Sequence, residues 1–149
     1  MVLPEDRANL RLADGFWQET NRDRQLQVLP ESGGWRKVLG AFESEHVKSM
    51  RRSPHRLLIL LIDFDEDGNR LAEARQVIPE DLQERVFVLG VWSEPEGLRH
   101  AGLGSLEDIG QALAKDCRDE TDTVWNHQLL QHNLSEVARL RHHVREVLF

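Results

Sequence analysis

The most distinctive pattern in the chain is an apolar run, Leu57 to Ile62, that leads directly into the acids Asp63, Asp65 and Asp67 and turns at Gly68. A short continuous apolar run with helical patterns on both sides predicts a central strand that is buried on both faces of a parallel sheet. The three acids then lie at the carboxyl end of this strand. In open α/β sheets, ligands bind at that edge.

The chain before this strand begins with a short apolar segment, Met1 to Pro4, which predicts a brief strand. Two acids, Glu5 and Asp6, follow it. A helix is predicted next, because one face of the pattern is apolar at Leu10, Ala13, Phe16 and Trp17. A polar break at residues 21–24 ends this first strand–helix unit.

A second strand–helix unit follows the polar break. Residues Gln25 to Leu29 alternate between polar and apolar, which predicts a half-exposed strand, and Pro30 to Gly34 form a turn. An amphipathic helix then begins at Trp35. It ends near Ser53, because proline disfavours helical conformation in the residue before it and Pro54 comes next.

The chain after the acids continues the same alternation. A short helix is predicted at 71–77, and Ile78 to Leu82 restarts it with proline near a first-turn position. Val86 to Val91 is the next apolar strand, and it is followed by the acids Glu94 and Glu96. Residues 100–104 form a glycine-containing surface link.

The C-terminal part of the chain is helical in pattern. A sequence resembling a capping box, Ser105 to Asp108, begins one helix. A second helix is predicted at Thr123 to His132, and a third runs from Ser135 to about Val147.

Sequential strand–helix units predict an α/β fold with a mainly parallel four-stranded sheet flanked by helices. We expect residues 1–98 to form this core and residues 99–149 to form a helical extension packed on the same domain.

Composition narrows the range of functions. With 149 residues and 40% apolar content, the chain can form one domain with a real core. The formal net charge of -7 argues against general electrostatic binding to nucleic acid or an anionic membrane. Cys117 is the one cysteine, which fits a reducing cytoplasm, and no apolar run is long enough to span a bilayer.

The acids after the central strand have two interpretations. Carboxylates that cluster repel one another unless a cation or a shared proton relieves them, and their hard oxygens suit Mg²⁺ or Mn²⁺. Acids after a strand also serve as turn residues and helix caps. Of the three, Asp67 fits a turn or outer-shell position better than Asp63 and Asp65 do.

Two known acidic motifs fit only in part. A calcium-binding EF-hand loop that began at Asp63 would need a glutamate at its twelfth position, where Ala74 stands. A phosphatase with an aspartyl nucleophile also has Asp-x-Asp after an apolar strand, usually on the first strand and with Thr or Val two residues after the second acid. Here the motif is on the third strand and Asp67 occupies that place.

Taken together, a strand ending in Glu5, a second strand followed by Gly33 and Gly34, and a third ending in Asp63-x-Asp65 resemble the Toprim domain. This family is the catalytic module of topoisomerases, bacterial primases and overcoming-lysogenisation-defect nucleases, and the resemblance covers about residues 1–98. It departs from the family at Asp6, where a glycine is usual.

The resemblance implies a role for each matching residue. Glu5 would act as the general acid or base, Asp63 and Asp65 would bind Mg²⁺ or Mn²⁺, and the two glycines would let their loop approach the site. Glu94 resembles an additional acid of some small Toprim-like nucleases, and Asp67 could contribute to a second metal or act through water. Phosphate contacts are expected from Gly33, Gly34 and nearby cations: Arg7, Arg11, Arg36, Lys37, Arg70 and Arg99.

The expected function is therefore divalent-metal-dependent cleavage of a nucleic acid, with DNA favoured over RNA, in a repair or defence assembly. One alternative is a non-catalytic Toprim-like subunit that docks on a larger protein through Trp92 or Trp125. A third possibility is a small-molecule phosphohydrolase. The sequence leaves the oligomeric state open, and it predicts no membrane partner.

Overall fold

The computed structural model describes residues 1–20 and 25–149, so the polar break predicted at 21–24 lies outside the described residues. Within them the chain forms three β-strands and seven α-helices. The strands are β1 (Val2–Pro4), β2 (Leu58–Leu61) and β3 (Val86–Leu89). The helices are α1 (Arg7–Gln18), α2 (Trp35–Ala41), α3 (Val47–Arg52), α4 (Gly68–Gln76), α5 (Pro95–His100), α6 (Leu106–Asp119) and α7 (Leu134–Leu148).

The three strands form one parallel sheet in the order β1-β2-β3. β2 is therefore the central strand, as its apolar sequence predicts. In the register of the sheet, Val2 lies beside Ile59, which lies beside Phe87. Helices flank the sheet, and the predicted mixed α/β class is confirmed.

The predicted strand at Gln25 to Leu29 is replaced by a single parallel bridge between Val2 and Val28. Val2 N–H donates to Gln27 O at 2.8 Å, and Leu29 N–H donates to Val2 O at 2.9 Å. The next ladder bond on this side would need an N–H at Pro4, and proline has none. The prediction of four strands is thus not confirmed within the described residues, and the sheet there has three.

The two faces of the sheet are covered differently. Leu58 and Leu60 of β2 are 0% exposed and pack against a layer that includes α2, α3 and α4. Ile59 and Leu61, on the opposite face, are only half-buried and lie towards α1, α6 and α7. The prediction that β2 is buried on both faces is therefore wrong for the second face.

The long helix predicted from Trp35 is interrupted. A π-helical turn, Phe42–His46, separates α2 from α3, and α3 ends at Arg52, close to the predicted end. α4 begins at Gly68, earlier than residue 71, because the Asp67 side chain caps it by accepting from Asn69 N–H at 2.9 Å.

The C-terminal region confirms two of the three predicted helices. α6 begins with the predicted capping box at Ser105 and Asp108, and α7 matches the last helix. The helix predicted at Thr123 to His132 is wrong, since this segment consists of turns followed by a short 3-10 helix, Gln131–Asn133. The Asp116 carboxylate fixes the turns by accepting from Thr121 Oγ1 and from Val124 N–H, both at 2.6 Å.

α1 and α6 are held together by two glycines. A Cβ at Gly15 would lie 2.1 Å from Glu107 O, and a Cβ at Gly110 would lie 2.1 Å from Leu12 O. The two backbones are therefore in direct contact, which no larger residue would allow. None of the helices in the described part of the chain is both long and apolar enough to cross a membrane.

We predict that Gly15→Ala destabilises the protein by about 1–3 kcal/mol, because the new methyl group would push α1 away from α6. Gly40→Ala is the matched control, since no atom lies within 4 Å of a Cβ at this helical position. Alanine should there stabilise the protein by up to about 1 kcal/mol. Urea unfolding of both variants tests the contact, and equal effects would contradict it.

Candidate functional site

Glu5 follows β1 and turns its side chain towards the end of β2. Its backbone N–H donates to Leu61 O at 2.8 Å and so continues the parallel ladder. Its Oε2 accepts from the backbone N–H of Asp63 at 2.8 Å. The structure thus brings together two acids that are far apart in sequence, as the Toprim resemblance implies.

The glycine pair lies on the backbone of Glu5. Gly33 N–H and Gly34 N–H donate to Glu5 O at 2.7 and 3.2 Å. Both glycines have positive φ angles, +82° and +143°, which residues with a side chain rarely adopt. In this structure their amide groups bind the carbonyl of Glu5, so their immediate role is to position that residue.

Asp63 is buried at the end of β2, with 7% of its surface exposed. Its Oδ1 accepts from Asn9 Nδ2 at 3.0 Å, and the same nitrogen donates to Asp6 Oδ1 at 3.1 Å. Asp6 also caps α1 by accepting from Asn9 N–H at 2.9 Å. Asn9 is itself 0% exposed, and its Oδ1 has no hydrogen-bond partner among the described residues.

Asn9 is not among the residues predicted from the sequence, and Asp6 is noted there only as a departure from the family pattern. The available signal was the spacing Asp-x-x-Asn at the start of α1, since a capping acid places its oxygen beside the residue three positions later. That signal predicts the cap. It does not predict that the Asn9 amide would also reach an acid 54 residues away.

Burial and nearby negative charges raise the pKa of both acids. Burial raises the pKa of Asp63 to about 8; the Asn9 hydrogen bond opposes this rise, and the charges of Glu5, Asp6 and Asp65 add to it. Burial also raises the pKa of Glu5, and its bond to the Asp63 amide partly offsets the effect. The pair therefore favours either a bound proton or a nearby cation.

Asp65 is paired with a cation of the protein itself. Arg70 donates from Nη2 to Asp65 Oδ2 and from Nη1 to Asp63 O, the latter at 2.8 Å. The guanidinium carbon lies 5.2 Å from the centre of the Trp35 ring. Asp65, a predicted metal ligand, is thus neutralised by Arg70 in this conformation.

The loop after Asp63 is held in an unusual backbone conformation. Asp65 and Glu66 have φ angles of 46° and 59°, in the left-handed region that costs free energy for residues other than glycine. Two backbone bonds to the segment after β3 maintain the loop, from Phe64 N–H to Val91 O at 3.0 Å and from Glu66 N–H to Trp92 O at 2.7 Å. Strained, well-supported loops are frequent at functional sites.

The other predicted acids lie apart from the Glu5 and Asp63 pair or have another role. Glu94 lines a depression of about 330 Å³ that reaches Asp65 but neither Glu5 nor Asp63, and its other lining residues are Glu66, Ser93, Glu96, Gly97 and His100. Asp67 is the cap of α4. Across residues 1–20 and 25–149, no three His, Cys, Asp or Glu side chains are grouped so that they could hold a metal ion.

Three of the predicted phosphate-binding cations, Arg7, Arg36 and Lys37, lie near this edge, whereas Arg11 pairs with Glu107 of α6 at 2.6 Å. Arg7 is exposed at the first position of α1, directly after the cap. Lys37 Nζ lies 3.7 Å from the position of a Cβ on Gly33. Arg36 lies 4.7 Å from the centre of the Trp35 ring and pairs with Glu73 at 3.7 Å.

The donor set of the site fits Mg²⁺ if Asp65 is released from Arg70. Mg²⁺ in proteins is commonly bound by one or two carboxylates, several waters and substrate phosphates, so Asp63 and Asp65 would suffice. Burial is the main cause of the raised pKa of Asp63, and the Asp63 carboxylate pairs with no cation among the described residues. Asn9 Oδ1 is a further buried, unpaired oxygen beside it.

Comparisons of this chain with protein-family models, with curated proteins and with solved structures find no match. The resemblance to the Toprim family therefore stays a prediction.

We predict that the stability of the protein falls as the pH rises from about 5 to about 9 in the absence of divalent ions. The pKa of Asp63 is higher in the folded chain than in the unfolded chain, so the folded state holds a proton that unfolding releases. The loss should be on the order of 3 kcal/mol and should be largely absent in Asp63→Asn. Urea unfolding at both pH values measures it.

Asp67→Asn serves as the control for this experiment. Asp67 is an exposed cap, and asparagine caps helices as well as aspartate does. This variant should keep the pH dependence of the wild type. An equal decline in Asp63→Asn and the wild type would show that Asp63 does not carry the effect.

Proposed function

We propose that this chain is a Toprim-like phosphoryl-transfer protein that cleaves nucleic-acid phosphodiester bonds with the help of Mg²⁺ or Mn²⁺. The observation that carries the proposal is the contact between the Glu5 carboxylate and the Asp63 backbone, which joins two acids of raised pKa at the carboxyl edge of a parallel sheet. A fourth strand is part of the Toprim-like interpretation, and the described residues form only a single bridge, Val2 to Val28, where that strand is expected.

The residues divide into two roles. Asp63 and Asp65 would hold the cation, which supplies positive charge to stabilise a phosphate group during its transfer. Glu5 would move a proton, because its raised pKa brings it closer to the neutral range in which general acids and bases work best. The hydrogen bond from the Asp63 amide keeps the Glu5 carboxylate in place.

Arg70 links substrate binding to the metal site. Its guanidinium now binds Asp65, and guanidinium groups also bind phosphate through paired hydrogen bonds. A substrate phosphate would compete for Arg70 and release Asp65 to act as a ligand. The conformation described here is then the resting state of the site.

A nucleic-acid substrate agrees with the local charges. The chain is acidic overall, but Arg7, Lys37 and Arg36 lie at the edge that carries the site and could contact successive phosphates. Such contacts position the backbone without reading its sequence. We favour DNA as the substrate, with repair or defence as the biological setting, and both follow from the family resemblance.

A non-catalytic interaction subunit is the second candidate. The Asp65–Arg70 ion pair and the absence of a three-ligand group in the described part of the chain favour it. Its proposed anchors fit less well, because Trp125 is buried in the core and Trp92 stacks on Phe64 at 6.3 Å between ring centres. No observation specifically favours the small-molecule phosphohydrolase, which would use the same acids as the nuclease.

We predict that Mn²⁺ raises the thermal unfolding midpoint of the wild type at about pH 8 and that Asp63→Asn abolishes this effect. Glu5→Gln should keep Mn²⁺ binding but lower the rate of DNA cleavage by about a hundredfold or more.

Arg70→Ala should tighten Mn²⁺ binding in the absence of DNA, because the substitution releases Asp65 from its ion pair. Thermal melts, calorimetric titration with Mn²⁺ and cleavage of a labelled duplex measure the three effects.

Asp67→Asn is again the matched control, and it should behave as the wild type does in all three measurements. Equal Mn²⁺ binding by Asp63→Asn and the wild type would refute the metal site. Unchanged cleavage in Glu5→Gln would remove Glu5 from the reaction. Absence of both Mn²⁺ binding and cleavage in the wild type would favour the interaction subunit.

A further inference from the structure

A second candidate site lies on the half-covered face of the sheet. A cavity of about 630 Å³ is located between this face and the helices α1, α6 and α7. The sheet contributes Val2, Ile59, Leu61 and Leu89, which share one face in the register. The helices contribute Leu12, Phe16, Leu113, Leu140, Val144 and Leu148.

The cavity explains why β2 is covered on one face only. Central strands of parallel sheets are normally covered on both faces, yet Ile59 and Leu61 are half-buried while Leu58 and Leu60 are fully buried. Protein interiors otherwise pack to the density of organic crystals. An apolar space of this size at the centre of the sheet is therefore suited to an apolar occupant.

The charged side chains that line the cavity are two arginines, accompanied by two histidines. Arg56, Arg85, His55 and His143 line it, and no Asp or Glu does so among the described residues, although the chain carries 26 acids. Arg85 donates to Met50 O and Ser53 O, both at 3.0 Å, and Arg56 donates to Ser49 Oγ at 3.1 Å. Neither arginine forms a salt bridge with a carboxylate of the described residues.

These cations are at the amino edge of the sheet. Arg56 precedes β2 by two residues, and Arg85 directly precedes β3. The acids of the proposed phosphoryl-transfer site follow the strands at the opposite edge. A molecule in the cavity would thus meet apolar side chains along the strands and positive charge at one end.

We propose that this cavity binds an amphipathic small anion, a molecule with an aliphatic body and one carboxylate or phosphate head group that lies beside Arg56. The volume is within the range of about 300–1,000 Å³ that is typical of small-molecule sites. An α-helix with its side chains is about 10 Å across, so less than about two turns of a partner helix would fit. This inference is independent of the proposed nuclease function.

The experiment compares dodecanoate with dodecanol, which has the same chain and an uncharged head group, by calorimetric titration of the full chain. We expect dodecanoate to bind at least about tenfold more tightly than dodecanol, because a charge-assisted hydrogen bond to Arg56 contributes about 1.4 kcal/mol or more. Arg56→Gln should remove this difference and leave dodecanol binding unchanged. Arg52→Gln, an exposed arginine at the end of α3 outside the cavity, should change neither affinity.

Filling the cavity tests the position of the aliphatic body. Leu61→Trp should abolish binding of both compounds, and Ile59→Phe provides a smaller filling substitution if the first variant does not fold, as judged by circular dichroism. Equal affinity for the two compounds, or undiminished binding in the filled variants, would overturn the proposal. So would the absence of dodecanoate binding together with self-association that Leu61→Trp abolishes, since the face would then bind a second copy of the chain.

Discussion

The hydrogen bond from the Asp63 amide to the Glu5 carboxylate fixes the positions of these two acids at the carboxyl end of the sheet. It extends the pairing of β1 with β2 beyond the last ladder residue and brings the Glu5 charge to the end of the neighbouring strand. The Gly33 and Gly34 amides hold the same residue from the other side through its carbonyl. Glu5 is therefore fixed through both its backbone and its side chain. As a result, the buried Asp63 lies close to the negative charge of Glu5.

Other features of the site follow from this proximity. Asn9 and Arg70 are the polar groups that offset the negative charge, one by donating to the Asp63 carboxylate and the other by pairing with Asp65. The Asn9 hydrogen bond does not bring the pKa of Asp63 back to its usual range, because burial raises it more strongly. The Asp63 carboxylate thus has no ion-pair partner among the described residues, because Arg70 pairs with Asp65, and this is the physical reason for expecting a cation or a phosphate-driven movement of Arg70.

The sequence predicts the elements that carry a strong local signal. The apolar run before Asp63, the capping box at Ser105 and the amphipathic α7 are recovered because periodicity and capping act within a few residues. The position of Glu5 beside Asp63 is also predictable, because the ends of parallel strands meet at one edge. The strand predicted at residues 25–29 forms only one bridge with β1, because Pro4 lacks the next N–H donor. The turns after Asp116 depend on the buried carboxylate of that residue. These interactions join residues that no local pattern connects.

The contact between Gly15 and Gly110 connects the acidic site to the cavity. It holds α1 against α6 through their backbones. The start of α1, with its cap Asp6 and with Asn9, belongs to the acidic site, and Leu12 of the same helix lines the cavity. The layer of helices is thus positioned by contact between its own members more than by side chains that fill the space over Ile59 and Leu61. The cavity over Ile59 and Leu61 can therefore exist while Glu5 and Asp63 stay fixed at the acidic edge. The cations before the strands and the acids after them then give one small sheet two chemically distinct ends, as expected when all its strands run in the same direction.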